Sequence, residues 1–296
     1  MSFLTEFPSM DPGNLRDLKK AIDGTFRDFT RANGEFIESL FDPLKWFLLW
    51  FERLLLATPW PLIIIIVCAL AWLASRSWKL VAGTAIAFLV IGYLDMWEDT
   101  MVTMAMVSVA TLLCIGFGIP IGVAMARSDR AQAIITPILD IMQTIPSFVY
   151  LIPVVMLLGI GKAPALIAVM IYAIPPIVRL TNLGIRLVQE DVLEAANSFG
   201  ASYRQRLLGV QIPLALPNIF AGVNQTIMMA LAMVVIAALI GGSGLGTPVL
   251  RAVNNQYLAL GLFNGMAIVA LAIIFDRVSQ AYGKRLQKHR EGGHGV

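Results

Sequence analysis

Cysteine, histidine and charged residues are scarce in this chain. Its 296 residues include two cysteines and two histidines, and only 14% are charged. Cys68 and Cys114 both stand within apolar runs, with no metal-binding or redox spacing between them. This spacing argues against a disulfide framework and favours two small buried side chains. His289 and His294 belong to a polar C-terminal tail, which argues against a catalytic or metal-binding role.

The composition that remains is typical of a membrane protein. Hydrophobic residues make up 58% of the chain and its mean hydropathy is +0.77, whereas a soluble domain is about 45–50% apolar and about 25% charged. The net charge is +3, but the basic residues flank apolar segments, so they indicate membrane topology and not a nucleic-acid surface. No basic segment leads directly into an apolar one at the N-terminus, so no cleavable signal peptide is predicted.

Seven apolar segments follow residue 57, each long enough to cross the roughly 30 Å hydrocarbon core, some with help from flanking residues. Because backbone groups in lipid must pair within the chain and the apolar pattern does not alternate, we expect helices. Pro146 and Pro153 make the fourth segment irregular, and Pro175 with Pro176 predicts a kink in the fifth. The segments are 59–75, 79–95, 100–126, 138–160, 163–179, 217–241 and 259–277.

The N-terminal 57 residues divide into a polar tail and an aromatic-rich stretch. We expect a short helix from about Asn14 in the tail. In residues 36–57, apolar positions are interrupted by Lys45, Glu52 and Arg53. This pattern favours a helix lying in the membrane interface. A spanning helix is the alternative, and it would place the N-terminus in the cytosol.

Basic residues in the short loops predict the orientation. If the chain after residue 179 is cytosolic, the outer loops keep only Lys162 and Arg251, beside acidic Asp95, Glu98 and Asp99. The C-terminus is then cytosolic and the N-terminal tail lies outside. The cytosolic set is Arg76, Lys79, Arg127, Arg130, Arg179, Arg186, Arg204, Arg206, Arg277, Lys284, Arg285, Lys288 and Arg290.

Residues 180–217 form the longest polar connection. We expect a short helix with Glu194 in its first turn, Asp191 or Asn197 as a cap, and Gly200 as a left-handed stop. Ser202 to Leu208 suits a second short helix, with Pro213 and Pro217 breaking the chain before the next span. The apolar face of the first helix comprises Val192, Leu193, Ala195, Ala196 and Phe199.

An exposed apolar residue such as Phe199 usually requires a partner surface. The alternative is a solvated helix that merely joins two spans. The pattern of Glu194-Ala195-Ala196, three residues, Gly200, nine residues, then Val210-x-Ile212-Pro213 resembles the EAA loop of permease subunits of bacterial ABC importers. In that family the loop docks into a cleft on the ATPase subunit. The resemblance therefore assigns ATPase coupling to Glu194, Ala195, Ala196, Phe199 and Gly200.

Other runs narrow the resemblance to permeases for glycine betaine and proline betaine, within a branch that includes choline and carnitine carriers. The match covers residues from about 100 to 285. The runs are Gln143–Pro153, Ile174–Thr181, Ser198–Ser202 and Ala221–Thr226.

This resemblance implies an all-α polytopic membrane protein with the core fold of type I ABC importer permeases, the MetI-like fold. The core is expected at 100–287, with the coupling loop at 190–213. Before it come the N-terminal tail and interfacial helix at 1–57 and two peripheral spans at 58–99, and a polar tail follows at 288–296. The implied location is the bacterial inner membrane.

The resemblance also implies the assembly: a homodimer of permeases, two ATPase subunits that hold ATP and magnesium, and an external substrate-binding protein. The chain itself is expected to bind no cofactor and to carry out no catalysis. Candidate residues for the translocation path are Asn224, Gln225, Phe148, Tyr150 and Tyr172. The glycines of a turn after the sixth span, Gly242, Gly244 and Gly246, are candidates for an external dock or gate.

Each of these candidates has a simpler structural interpretation. The polar residues from Asn224 to Thr226 are also explained by bonds to neighbouring helices. The glycine-rich turn is equally compatible with a flexible connection, and it lacks the Lys-Ser/Thr ending of a phosphate loop. Asp140 and Asp276 lie near the cytosolic boundary, where a structural role is favoured over a gating one. Asp276 is expected to pair with Arg277 or the C-terminal tail.

Three other functions compete with the importer interpretation. An ion-coupled carrier of compatible solutes usually has ionisable residues within its spans, and here no Glu, His or Lys is available for a proton relay. A passive solute channel has no use for an EAA loop. A membrane enzyme would need a nucleophile, metal cluster or carboxylate pair, and none is recognisable. Dependence on an ATPase subunit separates the importer from the carrier and the channel.

Overall fold

The computed structural model describes residues 9–291, with side chains through residue 281. His294 lies outside this range, as do the side chains of Lys284, Arg285, Lys288, His289 and Arg290. Thirteen α-helices are found within the described residues, as the resemblance predicted for the fold class. They are α1 (Pro12–Ala57), α2 (Trp60–Ser75), α3 (Trp78–Tyr93), α4 (Trp97–Arg127), α5 (Asp129–Thr144), α6 (Leu151–Leu158), α7 (Lys162–Ala173), α8 (Pro175–Arg186), α9 (Glu190–Ser198), α10 (Tyr203–Arg206), α11 (Ile212–Ala237), α12 (Gly246–Asn255) and α13 (Leu258–Glu291).

Four uninterrupted stretches of the described chain are long and apolar enough to cross a membrane, and six are if each of two bent pairs counts as one span. α3 is apolar but has only 16 residues. The four stretches agree with the predicted third, fifth, sixth and seventh segments. They are Trp97–Arg127, Lys162–Arg186, Tyr203–Ile240 and Leu258–Ala281.

The predicted span at 138–160 is not one helix. α5 ends at Thr144, a 3₁₀ turn covers Ser147–Tyr150, and the chain resumes as α6 after a bend of 109°. Pro146 explains the break, because a residue before proline is pushed out of the helical region. Ile145 indeed has φ −65° and ψ 130°, an extended conformation.

The N-terminal region is one long helix and not the short one expected from Asn14. α1 runs for 46 residues, with Pro12 in its first turn and the Asp11 carboxylate accepting from the Gly13 N–H at 3.0 Å. It meets α2 at 108°. The C-terminal part of α1 packs on the body of the protein, where Leu48 is buried and the Glu52 carboxylate lies 2.6 Å from Lys162 Nζ.

The core is built where α4, α7, α8, α11 and α13 pack together. Small residues allow the backbones to approach closely, as is common between membrane helices. A Cβ added at Gly122 on α4 would lie 2.7 Å from the Val178 carbonyl oxygen of α8. Cys114 is completely buried in this core, as expected for a small apolar side chain, and Cys68 is half-buried.

Prolines bend the core spans less than the sequence suggests. α7 gives way to α8 at Ile174, as the Pro175–Pro176 pair predicted, but the two still form one 25-residue stretch. The prediction that Pro213 and Pro217 break the chain was wrong. A π-helical turn at Leu207–Gln211 precedes Pro213, and a local π adjustment of this kind accommodates a proline within a continuous membrane helix.

Candidate functional site

The predicted coupling segment is a short helical hairpin between α8 and α11. Between α8 and the π-helical turn that leads into α11, it comprises residues 187–206, with α9 and α10 as its two arms. The acids of the first turn of α9 are Glu190 and Asp191, so the prediction that placed Glu194 there was wrong. The N-cap is Gln189, which makes no side-chain bond to the helix, so neither Asp191 nor Asn197 acts as the cap.

Gly200 ends α9 in the way the sequence predicted. Its φ of +72° lies in the left-handed region that favours glycine. The Gly200 N–H donates to the Asn197 carbonyl at 2.9 Å, and the Ala201 N–H donates to the Ala196 carbonyl at 3.1 Å. These two bonds form a Schellman motif, which satisfies the last carbonyls of the helix and fixes the direction in which the chain leaves.

The second arm of the hairpin is held just as firmly. Ser202 caps α10 in a reciprocal capping box with Gln205, which satisfies two N–H groups at the start of the helix. Arg206 Nη1 then reaches back and donates to the Asn197 side-chain oxygen on α9 at 3.0 Å. The hairpin is therefore a built structure and not a loose connection.

This firmly held hairpin presents an apolar side chain to solvent. Phe199 is 92% exposed at the tip, and Leu187 at its base is 62% exposed. Glu194, Ala195 and Gly200 are exposed as well, whereas Ala196 is half-buried. The structure thus brings the five predicted coupling residues together on one protruding element.

The base of the hairpin is tied to the adjoining ends of three helices. Arg186, the last residue of α8, donates to the Met125 carbonyl of α4 at 3.0 Å and to the Asp129 carboxylate of α5 at 2.7 Å. Its Nε also donates to Asn182 at 3.1 Å. In the sequence, Arg186 is recognisable only as a basic residue beside a span, because nothing in its local pattern reveals partners about 60 residues away.

The predicted path residues fall into two groups. The rings of Tyr150 and Tyr172 meet edge to face at 6.4 Å, and exposed Phe148 lies in the same 3₁₀ turn as Tyr150. Asn224 instead belongs to a polar cluster between α11 and α13. Gln225, the next residue, is exposed.

In that cluster, Asn224 Nδ2 donates to the Asp276 carboxylate at 2.8 Å, and Ser279 donates to the Asn224 oxygen. Among the side chains that the structure describes, Asp276 thus bonds to another helix and not to Arg277, while the predicted pairing with the tail involves residues outside the described side chains. Gln280 on the next turn donates to the same carboxylate at 2.7 Å. Asp140 likewise has an interhelical partner, since it pairs with Arg179 of α8.

The glycines of the turn after α11 are packing positions. Gly242, Gly244 and Gly246 are all buried. A Cβ at Gly244, whose φ is +95°, would meet the Thr103 hydroxyl of α4 at 2.4 Å. Thr103 Oγ1 accepts from the neighbouring Leu245 N–H at 2.9 Å. The turn is thus fixed to α4 and is not a flexible connection, while the dock or gate role of its glycines stays a prediction.

Comparison with known proteins agrees with this architecture. Residues 118–288 match the family model described as "Binding-protein-dependent transport system inner membrane component". The chain is 50% identical over 242 residues to the glycine betaine/proline betaine transport system permease protein ProW of Escherichia coli (strain K12), covering 82% of this chain and 68% of ProW.

A second relative matches almost end to end. The glycine betaine/carnitine transport permease protein GbuB of Listeria monocytogenes serotype 1/2a (strain 10403S) is 42% identical over 272 residues, which is 90% of this chain and 94% of GbuB. The glycine betaine transport system permease protein OpuAB of Bacillus subtilis (strain 168) is 45% identical, covering 74% of this chain and 77% of its own.

Solved structures share the fold at low sequence identity. A chain from the inward-facing MetNI methionine ABC transporter aligns with a TM-score of 0.57 at 20% identity, covering 62% of this chain and 93% of that one. At this identity the likeness concerns the fold alone. The family match over more than half of the chain, together with the three permease relatives, shows that this protein belongs to the family of inner-membrane components of binding-protein-dependent transport systems.

Proposed function

We propose that this protein is the permease subunit of an ATP-driven importer for glycine betaine or a related quaternary ammonium compound such as choline, carnitine or proline betaine. The names of its relatives support this substrate class. The chain forms the passage and carries out no catalysis. ATP and magnesium are held by a partner ATPase. The permease therefore needs only to receive the movement of the ATPase and to convert it into opening of the passage toward one side of the membrane or the other.

The single observation that carries the coupling role is the exposure of Phe199 at the tip of a rigid hairpin. Burying a phenylalanine side chain is worth about 1.5–3 kcal/mol, yet this ring is 92% exposed. The surrounding turn is held by the Schellman motif and the capping box, so the ring is kept in place without packing on its own chain. A preformed apolar knob of this kind suits a cleft on another protein.

The proposed assembly contains two copies of the permease, two ATPase subunits and one external binding protein. When ATP draws the ATPases together, the two hairpins move with them. α10 continues through the π-helical turn into α11, so a displacement of the hairpin is passed directly to a core span. Rigid-body movement of packed helices is the physical basis for opening the cavity to one side at a time.

In the inner membrane, we place the C-terminus in the cytosol and the N-terminal tail outside. The 108° angle between α1 and α2 favours the interfacial position of residues 36–57, because a helix nearly perpendicular to a spanning one lies along the membrane plane. The ion pair of Glu52 with Lys162 supports it, since Lys162 belongs to a loop predicted to be external. The two peripheral spans are then α2 and α3.

Tyr150 and Tyr172 are the best candidates for contact with a methylated ammonium group in the passage, because such cations bind aromatic faces. Phe148 and Gln225 are exposed and remain candidates. Asn224 contributes by holding α11 to α13. We expect the binding protein to supply most of the substrate selectivity and to contact the outer face near the turn containing Gly242, Gly244 and Gly246.

Uptake into proteoliposomes tests this function. The vesicles hold the permease and its ATPase, with ATP inside and the binding protein outside. We expect labelled glycine betaine to accumulate only when all three components are present, and choline or carnitine to compete. Uptake without ATP or ATPase would identify a carrier or channel. An assembled complex that hydrolyses ATP but imports no betaine would contradict the substrate assignment alone.

Replacing Phe199 with alanine should weaken binding of the ATPase by about 30-fold, the effect of losing a hot-spot side chain worth about 2 kcal/mol. Folding of the permease should not change, because the ring packs on so little of its own chain. The measurement is the affinity of the purified ATPase for the native and the variant permease in nanodiscs. Phe36→Ala is the matched control, since Phe36 is 72% exposed on α1 and the proposed topology places it on the side of the membrane away from the ATPase. Equal affinities for the two variants would contradict the docking role.

A further inference from the structure

A second connection joins the hairpin to the body of the protein through Tyr203. Tyr203 is the first residue of α10, and the guanidinium carbon of Arg127 lies 4.4 Å from the centre of its ring. Arg206, one turn along α10, lies 5.5 Å from the same centre. A guanidinium within about 6 Å of an aromatic face is attracted by the ring quadrupole. One ring therefore has two cationic neighbours, from different helices.

These contacts form a continuous series that links the tip of the hairpin to a core span. Asn197 on α9 accepts from Arg206, Arg206 faces Tyr203, and Tyr203 faces Arg127. Arg127 is the last residue of α4. Two residues before it, the Met125 carbonyl accepts from Arg186 of α8, which also pairs with Asp129 of α5. This series of contacts thus ends at the place where α4, α5 and α8 are tied together.

We propose that Tyr203 is a positioning residue that clamps the coupling hairpin to the cytosolic end of α4, so that the ATPase moves α4 together with α11. The covalent route through α10 reaches α11 alone. The α9 end of the hairpin is joined to α8, whose Arg186 already holds α4 and α5. Without the Arg127 contact, the α10 arm would still be free to pivot about the π-helical turn at Leu207–Gln211, and part of its displacement would be lost. The contact with Arg127 resists this pivot. The inference rests on the proposed importer function and adds a route of transmission to it.

The ring face, and not the hydroxyl, is what the clamp requires. Tyr203→Phe keeps the aromatic face, whereas Tyr203→Leu keeps an apolar side chain without it. A cation–π contact at an exposed site changes an equilibrium by a factor of about 2 to 5. We expect Tyr203→Leu to lower betaine uptake per ATP hydrolysed by roughly 5-fold, and Tyr203→Phe to restore it, with ATPase binding unchanged in both.

A double-mutant cycle assigns the effect to the Arg127 contact. Arg127→Gln should lower uptake per ATP as Tyr203→Leu does, and the double variant should lose no more than either single one, because both remove the same interaction. Additive losses would overturn the clamp, as would failure of Tyr203→Phe to rescue. Weaker ATPase binding by Tyr203→Leu would also overturn it, because the ring would then belong to the docking surface.

Hydrogen–deuterium exchange of the purified permease tests the clamp without any transport. Residues 187–206 should exchange several-fold faster in Tyr203→Leu than in the native protein or in Tyr203→Phe. Unchanged exchange would overturn the clamp even if the importer function is correct. Faster exchange in a protein that transports no betaine would support the clamp and contradict only the proposed substrate.

Discussion

Replacing Gly200 with isoleucine should reduce ATP-driven uptake by about 10-fold or more while leaving the protein in the membrane. Gly200 has a φ of +72°, and a β-branched residue in the left-handed region costs roughly 1–3 kcal/mol. A cost of about 1.4 kcal/mol corresponds to a factor of ten. A Cβ at this position meets no atom within 4 Å, so the effect comes from the backbone and not from a clash.

The loss of uptake is expected because the turn at Gly200 positions Phe199. The Schellman motif sets the angle between α9 and α10, and Phe199 stands immediately before Gly200. A relaxed turn therefore misplaces the exposed ring against the cleft proposed for it on the ATPase. Gly200→Asn is the control at the same position, because asparagine tolerates the left-handed region. We expect it to keep most of the uptake, measured at equal membrane abundance. Full uptake in Gly200→Ile would contradict the coupling role of the turn.

Replacing Gly122 with leucine should prevent stable folding of the core. Gly122 lies where α4 meets α8, and an added Cβ would lie 2.6 Å from the Thr181 Cβ and 2.7 Å from the Val178 carbonyl oxygen. The backbone oxygen is part of a helix, so the two spans must separate. Overpacking a well-filled core typically costs 1–3 kcal/mol and sometimes more. The larger leucine side chain adds to this cost.

Gly116 provides a matched control on the same helix. It is exposed, and a Cβ there meets nothing within 4 Å. Gly116→Leu should therefore keep the stability of the native protein or raise it slightly, since glycine is a poor helix former. Thermal unfolding in detergent, followed by size-exclusion chromatography, compares the two. Equal unfolding midpoints for Gly122→Leu and Gly116→Leu would contradict the prediction, because they would show that the contact between α4 and α8 can accommodate a leucine side chain.

The hairpin was largely predictable because its determinants are local. Gly200 as the left-handed stop and Ser202 at the start of the second helix follow from residue types within a few positions. Exposure of Phe199 followed from a polar segment set between spans. The start of α9 was misjudged, since Glu194 looked like a first-turn acid although Glu190 and Asp191 occupy that turn. Several acids at helical spacing leave the starting position ambiguous.

Interhelical partners were not predictable from one sequence. Asn224 and Asp276 are 52 residues apart, and each looks like an isolated polar residue in its own span. Arg127 and Tyr203 carry no local signal of their contact, because both residue types are common at membrane boundaries. Pairing of this kind depends on how spans are arranged around one another.

Composition, apolar segments and basic loops determined that this chain is an all-helical membrane protein, and the spacing around Gly200 located the segment that we propose for coupling. These features depend on hydration and backbone geometry within one segment. Tertiary structure decided that the break at Pro146 becomes a bend of 109° and that the chain passes Pro213 without breaking. It also decided which polar residues meet and which glycines are buried. Those outcomes depend on contacts between distant segments, where close packing and satisfied hydrogen bonds outweigh local preference.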